Sequence, residues 1–266
     1  MTALLEARGL TVSYGGVHAN QDVDLSVEQG QFVGLIGANG AGKTTFVDAI
    51  TGFTAVSAGT VQFDGHDITG AKPEDRARRG LVRTFQALEL FDDLTVRDNL
   101  LVACETTRWW SLPLDILRRG RVDAVEERVT WALRTVGLEH LADRLPEDLS
   151  HGQRKTVGVA RALAARPKLV LLDEPAAGLD AHESMDLAKM LRGLLDQGIS
   201  VFLIDHDMGL VLAVCDQIYV LNFGKVVASG PPAVIRRDPA VVAAYLGDGG
   251  ADLSAGGGIE GTVAAR

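Results

Sequence analysis

Short β-branched and aliphatic runs alternate with stretches of helical spacing along much of the chain. Gln31–Gly37 precedes Lys43–Thr51, Lys168–Leu172 precedes Ser184–Leu195, and Ile199–Asp205 precedes Asp207–Val214. Such alternation predicts βαβ units, hence a parallel sheet covered by helices on both faces. The opening 30 residues and Ala58–Phe63 instead alternate apolar and polar positions, between turn residues at Gly15-Gly16, Gly30 and Asp64-Gly65. They predict a small antiparallel sheet beside the parallel one. Between Val96 and Ala165 the period becomes helical: Val122, Val125, Val129, Ala132, Leu133 and Val136 recur on one face, and Gly137 follows where a helix stop belongs. A mainly helical subdomain is expected there. Beyond Leu246 the run Gly-Asp-Gly-Gly-Ala-Asp-Leu-Ser-Ala-Gly-Gly-Gly has little to bury, and residues 248–266 are expected to form a flexible tail.

Composition changes this picture only by exclusion. With 47% hydrophobic and 23% charged residues in 266 positions, the chain has ordinary globular proportions and ample material for a core. Its 35 acidic against 26 basic side chains leave a net charge of −9, which argues against a nucleic-acid binder held by clustered Lys and Arg. Cys104 and Cys215 are the only cysteines and lie far apart, so neither a disulfide framework nor a paired-cysteine zinc site is expected. Met1–Leu10 carries Glu6 and Arg8 and lacks the apolar run of an export signal, predicting a cytoplasmic protein. Apolar runs such as Val201-Phe202-Leu203-Ile204 are far below the ~20 residues that span a bilayer, so membrane contact is expected only through a partner.

The candidate chemistry begins at Gly37-Ala38-Asn39-Gly40-Ala41-Gly42-Lys43-Thr44, which matches G-x-x-x-x-G-K-[ST] after an apolar strand and before a helix. Glycines let backbone N–H groups converge on phosphate oxygens, and the following helix N-terminus adds partial positive charge. Lys43 is then expected to reach the β/γ-phosphates, and the Thr44 hydroxyl to ligate Mg²⁺. Thr45 belongs to the same first helical turn. Downstream, Leu169-Val170-Leu171-Leu172-Asp173-Glu174 is an aliphatic run ending in two carboxylates. Asp173 is thereby expected at the carboxyl end of a buried strand, where open α/β sheets bind ligands and where it can hold Mg²⁺. Glu174 is expected to orient and deprotonate the water that attacks the γ-phosphate.

With these residues in view, the chain resembles the ATPase subunit of an ABC transporter. Leu149-Ser150-His151-Gly152-Gln153 resembles the family signature, with His151 where the signature usually has a glycine. Gln86 matches the glutamine loop, Gly178-Leu179-Asp180 the aspartate loop, and His206 the switch histidine, while Tyr14 stands where the family has an aromatic that stacks on adenine. The resemblance implies an α/β fold, a P-loop NTPase parallel-sheet core with a small antiparallel β subdomain and an inserted helical subdomain. It covers one domain, 4–247, divided into a core (1–85 and 166–246) and a helical subdomain (86–165) with the signature. It also implies ATP and Mg²⁺ as cofactors, the metal held by Thr44, Gln86 and Asp173. Catalysis falls to Glu174, His206 and Gln86. A head-to-tail dimer would sandwich each nucleotide between one phosphate loop and the partner's Ser150, Gly152 and Gln153, with Asp180 acting across the interface and the helix from Gln153 to Ala165 turning its N-terminus to the γ-phosphate.

Within the family, Arg79-Gly80-Leu81-Val82-Arg83-Thr84-Phe85-Gln86, the stretch Leu90–Ala103 and Ala244-Tyr245-Leu246-Gly247 are similar to the ATPases of branched-chain amino-acid importers. That similarity implies two permease subunits, a second related ATPase or a second copy of this chain, and an extracytoplasmic solute-binding protein, with this subunit on the inner face of the cell membrane. Urea or amide import, lipopolysaccharide export and a soluble, non-transport ABC ATPase are the alternatives. Trp109 and Trp110 read either as helical-subdomain core or as an amphipathic anchor, and Arg76, Arg78 and Arg79 as a solvated helix face.

Overall fold

The computed structural model describes residues 3–84, 90–104, 119–239 and 241. Gln86, Trp109, Trp110, Tyr245 and the tail from 248 lie outside them. Two sheets organise the chain. β1 (Ala3–Tyr14), β2 (Val17–Glu28), β4 (Ala58–Phe63) and β5 (His66–Asp67) form an antiparallel sheet in the order β2-β1-β4-β5. The second sheet runs β10-β9-β3-β8-β7-β6, from β3 (Phe32–Ile36), β6 (Leu81–Arg83), β7 (Leu169–Asp173), β8 (Ser200–Ile204), β9 (Gln217–Asn222) and β10 (Lys225–Gly230). Its pairings are parallel except for the β9–β10 hairpin.

The central strands β3, β7 and β8 are buried along their whole length, as continuous aliphatic runs covered on both faces must be. Their side chains divide by the two-residue period. Val33, Leu35, Leu169, Leu171, Phe202 and Ile204 join the core shared with the antiparallel sheet, whereas Phe32, Ile36, Val170, Leu172, Val201 and Leu203 join the core on the opposite face. Helix α1 (Lys43–Thr51) fills the first core with Phe46, Val47 and Ile50. The second core extends into α3 (Val96–Cys104), α4 (Arg119–Thr135) and α5 (His151–Ala164), through Leu100, Val129, Leu133 and Val157. After α4, Gly137 adopts φ +74° and Leu138 N–H donates to Leu133 O at 2.8 Å, the helix stop expected from the glycine.

One expectation fails here. Arg78 and Arg79 are exposed on α2 (Pro73–Arg78) and just after it, but Arg76 is 1% exposed. Its guanidinium donates to the carbonyls of Ala71, Ala49, Ile50 and Thr69 at 2.8–2.9 Å. Ala49 and Ile50 belong to the last turn of α1, whose carbonyls lack i+4 helical donors; Gly52 N–H reaches Ala49 O at 3.3 Å, and Arg76 supplies a donor to each. Burial holds its pKa below the ordinary arginine value, with Asp67 opposing. Arg76→Ala is expected to strand these buried carbonyls and to cost roughly 3 kcal/mol of stability, read as a lowered urea midpoint at unchanged m-value.

Candidate functional site

The carboxyl ends of β3 and β7 open onto one cavity of 470 Å³, lined by Asn39, Gly40, Ala41, Gly42, Lys43, Thr44, Thr45, Asp173 and Glu174, with Phe223 and Gly224 from the β9–β10 turn. Gly37 forms the floor of the loop. A Cβ there would stand 2.4 Å from Leu221 O, so only glycine lets the loop cross β9 this closely. Gly42 turns the chain into α1 at φ +101°, against Ala19 O and the Asn20 amide, which donates to Gly42 O. The β9–β10 turn straps the loop in place: Gly224 N–H donates to Ala41 O, and Gln21 N–H to Gly224 O, both at 2.9 Å.

Lys43 is 8% exposed, and its ammonium donates to Gly37 O at 2.6 Å and Ala38 O at 3.1 Å. Burial lowers its pKa, while the nearby Glu174, Asp173 and Asp205 carboxylates pull it upward. Asp173 is itself only 9% exposed and ends β7. Glu174 takes φ +48°, a left-handed conformation that costs a non-glycine residue on the order of 1–2 kcal/mol, and its N–H donates to Ile204 O at 2.8 Å. Asp22, Asp64, Arg166 and Phe223 share this conformation, and Glu174 is the one of the five whose carboxylate lies beside the phosphate loop.

His206 brings Nδ1 to 3.5 Å from Glu174 Oε1 and 3.7 Å from Asp205 Oδ1. It lies just ahead of α7 (Met208–Val214), and its N–H donates to Asp205 Oδ1 at 2.8 Å. Burial pushes the Asp205 carboxyl above its usual range, with the backbone N–H groups of Asp207 and His206 working against that rise. A half-exposed imidazole therefore stands beside the Glu174 carboxylate that lines the cavity, an arrangement fit to hold and move a proton.

Other residues singled out in the sequence lie apart. Tyr14 is 56% exposed and outside this cavity, its hydroxyl 3.3 Å from Thr54 Oγ1. Ser150, Gly152 and Gln153 line a separate cavity of 260 Å³. Helix α5 begins at His151, two residues earlier than expected, because Ser150 caps it: Ser150 Oγ accepts from Gln153 N–H and Gln153 Oε1 from Ser150 N–H. Gly152 thus stands inside the first turn. Asp180 caps α6 (Ala181–Arg192) in the same reciprocal way with Glu183.

Several residues at the site are not singled out by the motifs, among them Phe223, Gly224, Asp205 and, behind Asp173, Arg83. Arg83 leaves the end of β6 at 8% side-chain exposure, bonds Asp48 on α1, and donates to Asp173 Oδ2 at 2.8 Å. The string that contains it drew attention only as a family likeness. Nothing local in Val82-Arg83-Thr84 indicates a buried ion pair.

The residues on the cavity wall suit a nucleotide with its cation. The loop amides and Lys43 are donors suited to anionic phosphate, and the Thr44 hydroxyl with the Asp173 carboxylate offers the hard oxygen donors that Mg²⁺ takes. Comparison with known proteins agrees. The family described as ABC transporter matches residues 20–177, and the family described as branched-chain amino acid ATP-binding cassette transporter matches residues 225–251. The chain is 40% identical over 251 residues to the high-affinity branched-chain amino acid transport ATP-binding protein BraF of Pseudomonas aeruginosa, covering 92% of this chain and 98% of that one. It is 38% identical to LivG of Escherichia coli K12, described in the same words, with the same coverage. At 37% identity, again with 92% and 98% covered, it is similar to the lipopolysaccharide export system ATP-binding protein LptB of the same strain. Among solved structures, the ADP conformation of MJ1267, an ATP-binding cassette of an ABC transporter, aligns with TM-score 0.82 and 32% identity over 93% of this chain and 100% of that one. The dimeric post-hydrolysis state of the cassette MJ0796, bound to ADP and Pi, aligns with TM-score 0.68 and 25% identity over 86% and 98%.

Proposed function

The chain belongs to the ABC transporter family as an ATP-binding, ATP-hydrolysing subunit, and from that premise we propose that its turnover drives import of a small polar solute, most simply a branched-chain amino acid. The observation that carries the catalytic half is the single cavity shared by Lys43, Thr44, Asp173 and Glu174. For the cargo, the support is the match of residues 225–251 to the branched-chain family and the similarity to BraF and LivG.

On this reading Lys43 exchanges its two carbonyl acceptors for β/γ-phosphate oxygens while the loop amides and the first turn of α1 gather the remaining charge. Thr44 and Asp173, joined by Gln86, hold Mg²⁺, which when bound neutralises charge developing on the phosphates. Glu174 accepts the proton of the attacking water, His206 contacts the γ-phosphate and holds Glu174 from the side, and Tyr14 stacks on adenine. One domain, 4–247, carries this machinery, with 1–85 and 166–246 as its core, 86–165 as the helical subdomain, and 248–266 as a tail.

The second half of each site comes from another ATPase subunit. Ser150, Gly152 and Gln153 at the N-terminus of α5, with Asp180, would face the partner's phosphates, so that ATP closes a head-to-tail dimer and hydrolysis releases it. That the MJ0796 cassette is dimeric with ADP and Pi bound supports the pairing of two ATPase subunits. Among the described residues no helix is long and apolar enough to cross a membrane. Two permease subunits supply that part, with this chain peripheral on the inner face of the cell membrane and an extracytoplasmic solute-binding protein delivering cargo. A groove of 420 Å³ between the parallel sheet and α3 and α5, with Val82, Leu90, Phe91 and Val102 on its wall and Lys155 and Arg161 among them, offers them a seat of mixed apolar and charged character.

Purification of this chain from its native membranes in mild detergent, with mass identification of its companions, tests the assembly. Permease subunits, a second ATPase and turnover stimulated by a solute-binding protein loaded with leucine are the expected result. Recovery with lipopolysaccharide-export components, or from the soluble fraction without a permease, would overturn the import reading while leaving the ATPase intact.

A further inference from the structure

A buried arginine joins two carboxylates beneath the phosphate loop, and its role is separable from that of the loop itself. Asp48 lies on α1, little more than one turn beyond Lys43; Asp173 ends β7; Arg83 ends β6, three residues before Gln86. Arg83 Nη1 bonds Asp48 Oδ1, and Nη2 bonds Asp173 Oδ2 at 2.8 Å, with the Arg83 and Asp173 side chains 8% and 9% exposed. Charge-assisted bonds at such burial are strong and directional, and a planar guanidinium holding two carboxylates fixes both rotamers at once. The carboxylate so fixed is the one that lines the nucleotide cavity beside Thr44.

We propose that Arg83 is a positioning residue for the divalent cation: by holding Asp173 through Oδ2 and bracing itself on Asp48, it presents the other carboxylate oxygen to the metal that accompanies the nucleotide. The proposal rests on the reading of Asp173 as a metal-holding carboxylate. The same bonds tie α1, β6 and β7 together at one point, so the helix that carries the phosphate loop and the strand that carries the metal carboxylate keep a constant separation. Without Arg83 the two carboxylates lose their shared cation, and Asp173, the buried one, loses its orientation.

Mn²⁺ binding followed by electron paramagnetic resonance in the presence of ADP tests this on the full chain. Arg83→Gln is expected to weaken Mn²⁺ binding about tenfold while ADP affinity in the absence of metal stays at the wild-type value. Asp173→Asn is expected to weaken it as well, and Arg83→Gln added to Asp173→Asn is expected to have no further effect. Arg83→Lys, which keeps the charge but loses the fork, is expected to fall between wild type and Arg83→Gln, and it serves if the glutamine variant does not fold. Unchanged or tighter Mn²⁺ binding in the Arg83 variants beside a weakened Asp173→Asn, or a further loss in the double variant, would overturn the proposal and leave Arg83 a structural ion pair. Wild-type Mn²⁺ binding by Asp173→Asn would overturn the metal reading of Asp173, and the proposal with it.

Discussion

Glu174→Gln is expected to lower ATP turnover by about 10²–10⁴-fold while leaving ATP binding intact. Glutamine reproduces the shape of the side chain and can still hold a water, but its amide has no basicity with which to take the proton. The position tolerates the exchange structurally, because the backbone bond from Glu174 N–H to Ile204 O and the left-handed φ of +48° do not depend on the side-chain charge. What changes is the pairing with His206, whose Nδ1 stands 3.5 Å from Glu174 Oε1. Single-turnover hydrolysis measured beside equilibrium ATP binding separates the two effects. A variant that hydrolyses at the wild-type rate would move the base elsewhere, and one that loses nucleotide affinity in proportion to turnover would make Glu174 a binding residue.

The second large effect is expected at the loop. Lys43→Ala should weaken ATP binding by about 100-fold or more, because it removes the charge-assisted donor that reaches the terminal phosphates. The surroundings amplify the loss. Asp173, Glu174 and Asp205 all act on the Lys43 ammonium, so its removal leaves anionic phosphate facing carboxylates across the cavity. Lys43 also ties Gly37 O to Ala38 O, so some stability is expected to go with it. Calorimetric titration with ATP, alongside a thermal melt of the free variant, distinguishes lost affinity from lost folding. Unchanged affinity in a folded variant would remove the phosphate-loop assignment.

Several features could be read from the residues because their causes are consecutive. The Gly37–Thr44 loop, the strand that ends at Asp173, the stop at Gly137 and the alternation of β1 and β2 each follow from the backbone freedom or side-chain period of a short segment. α5 starts two residues ahead of the expected Gln153, and the sign of it is local: a serine cap with a glutamine three positions later is a helix-start signal. Arg76 departs further from its local pattern. On a short helix rich in Arg, Asp and Glu it carries the pattern of a solvated face, and the carbonyls it serves, two of them at the end of α1 more than 20 residues away in the chain, are gathered only by the fold.

The sequence alone therefore determined the fold class, the nucleotide chemistry and the elements that carry it, since periodicity, glycine placement and the strand-end carboxylates are one-dimensional properties. Tertiary structure decided which charges are desolvated and which groups become partners. Pairing of β6 with β7, Leu81 opposite Leu169, is what brings Arg83 to Asp173 across 90 positions of sequence, and the β9–β10 turn reaches the phosphate loop only because β9 lies beside β3. Whether an arginine is a solvated cation or the brace of a buried carboxylate depends on its neighbours in space, and a linear pattern records only its neighbours along the chain.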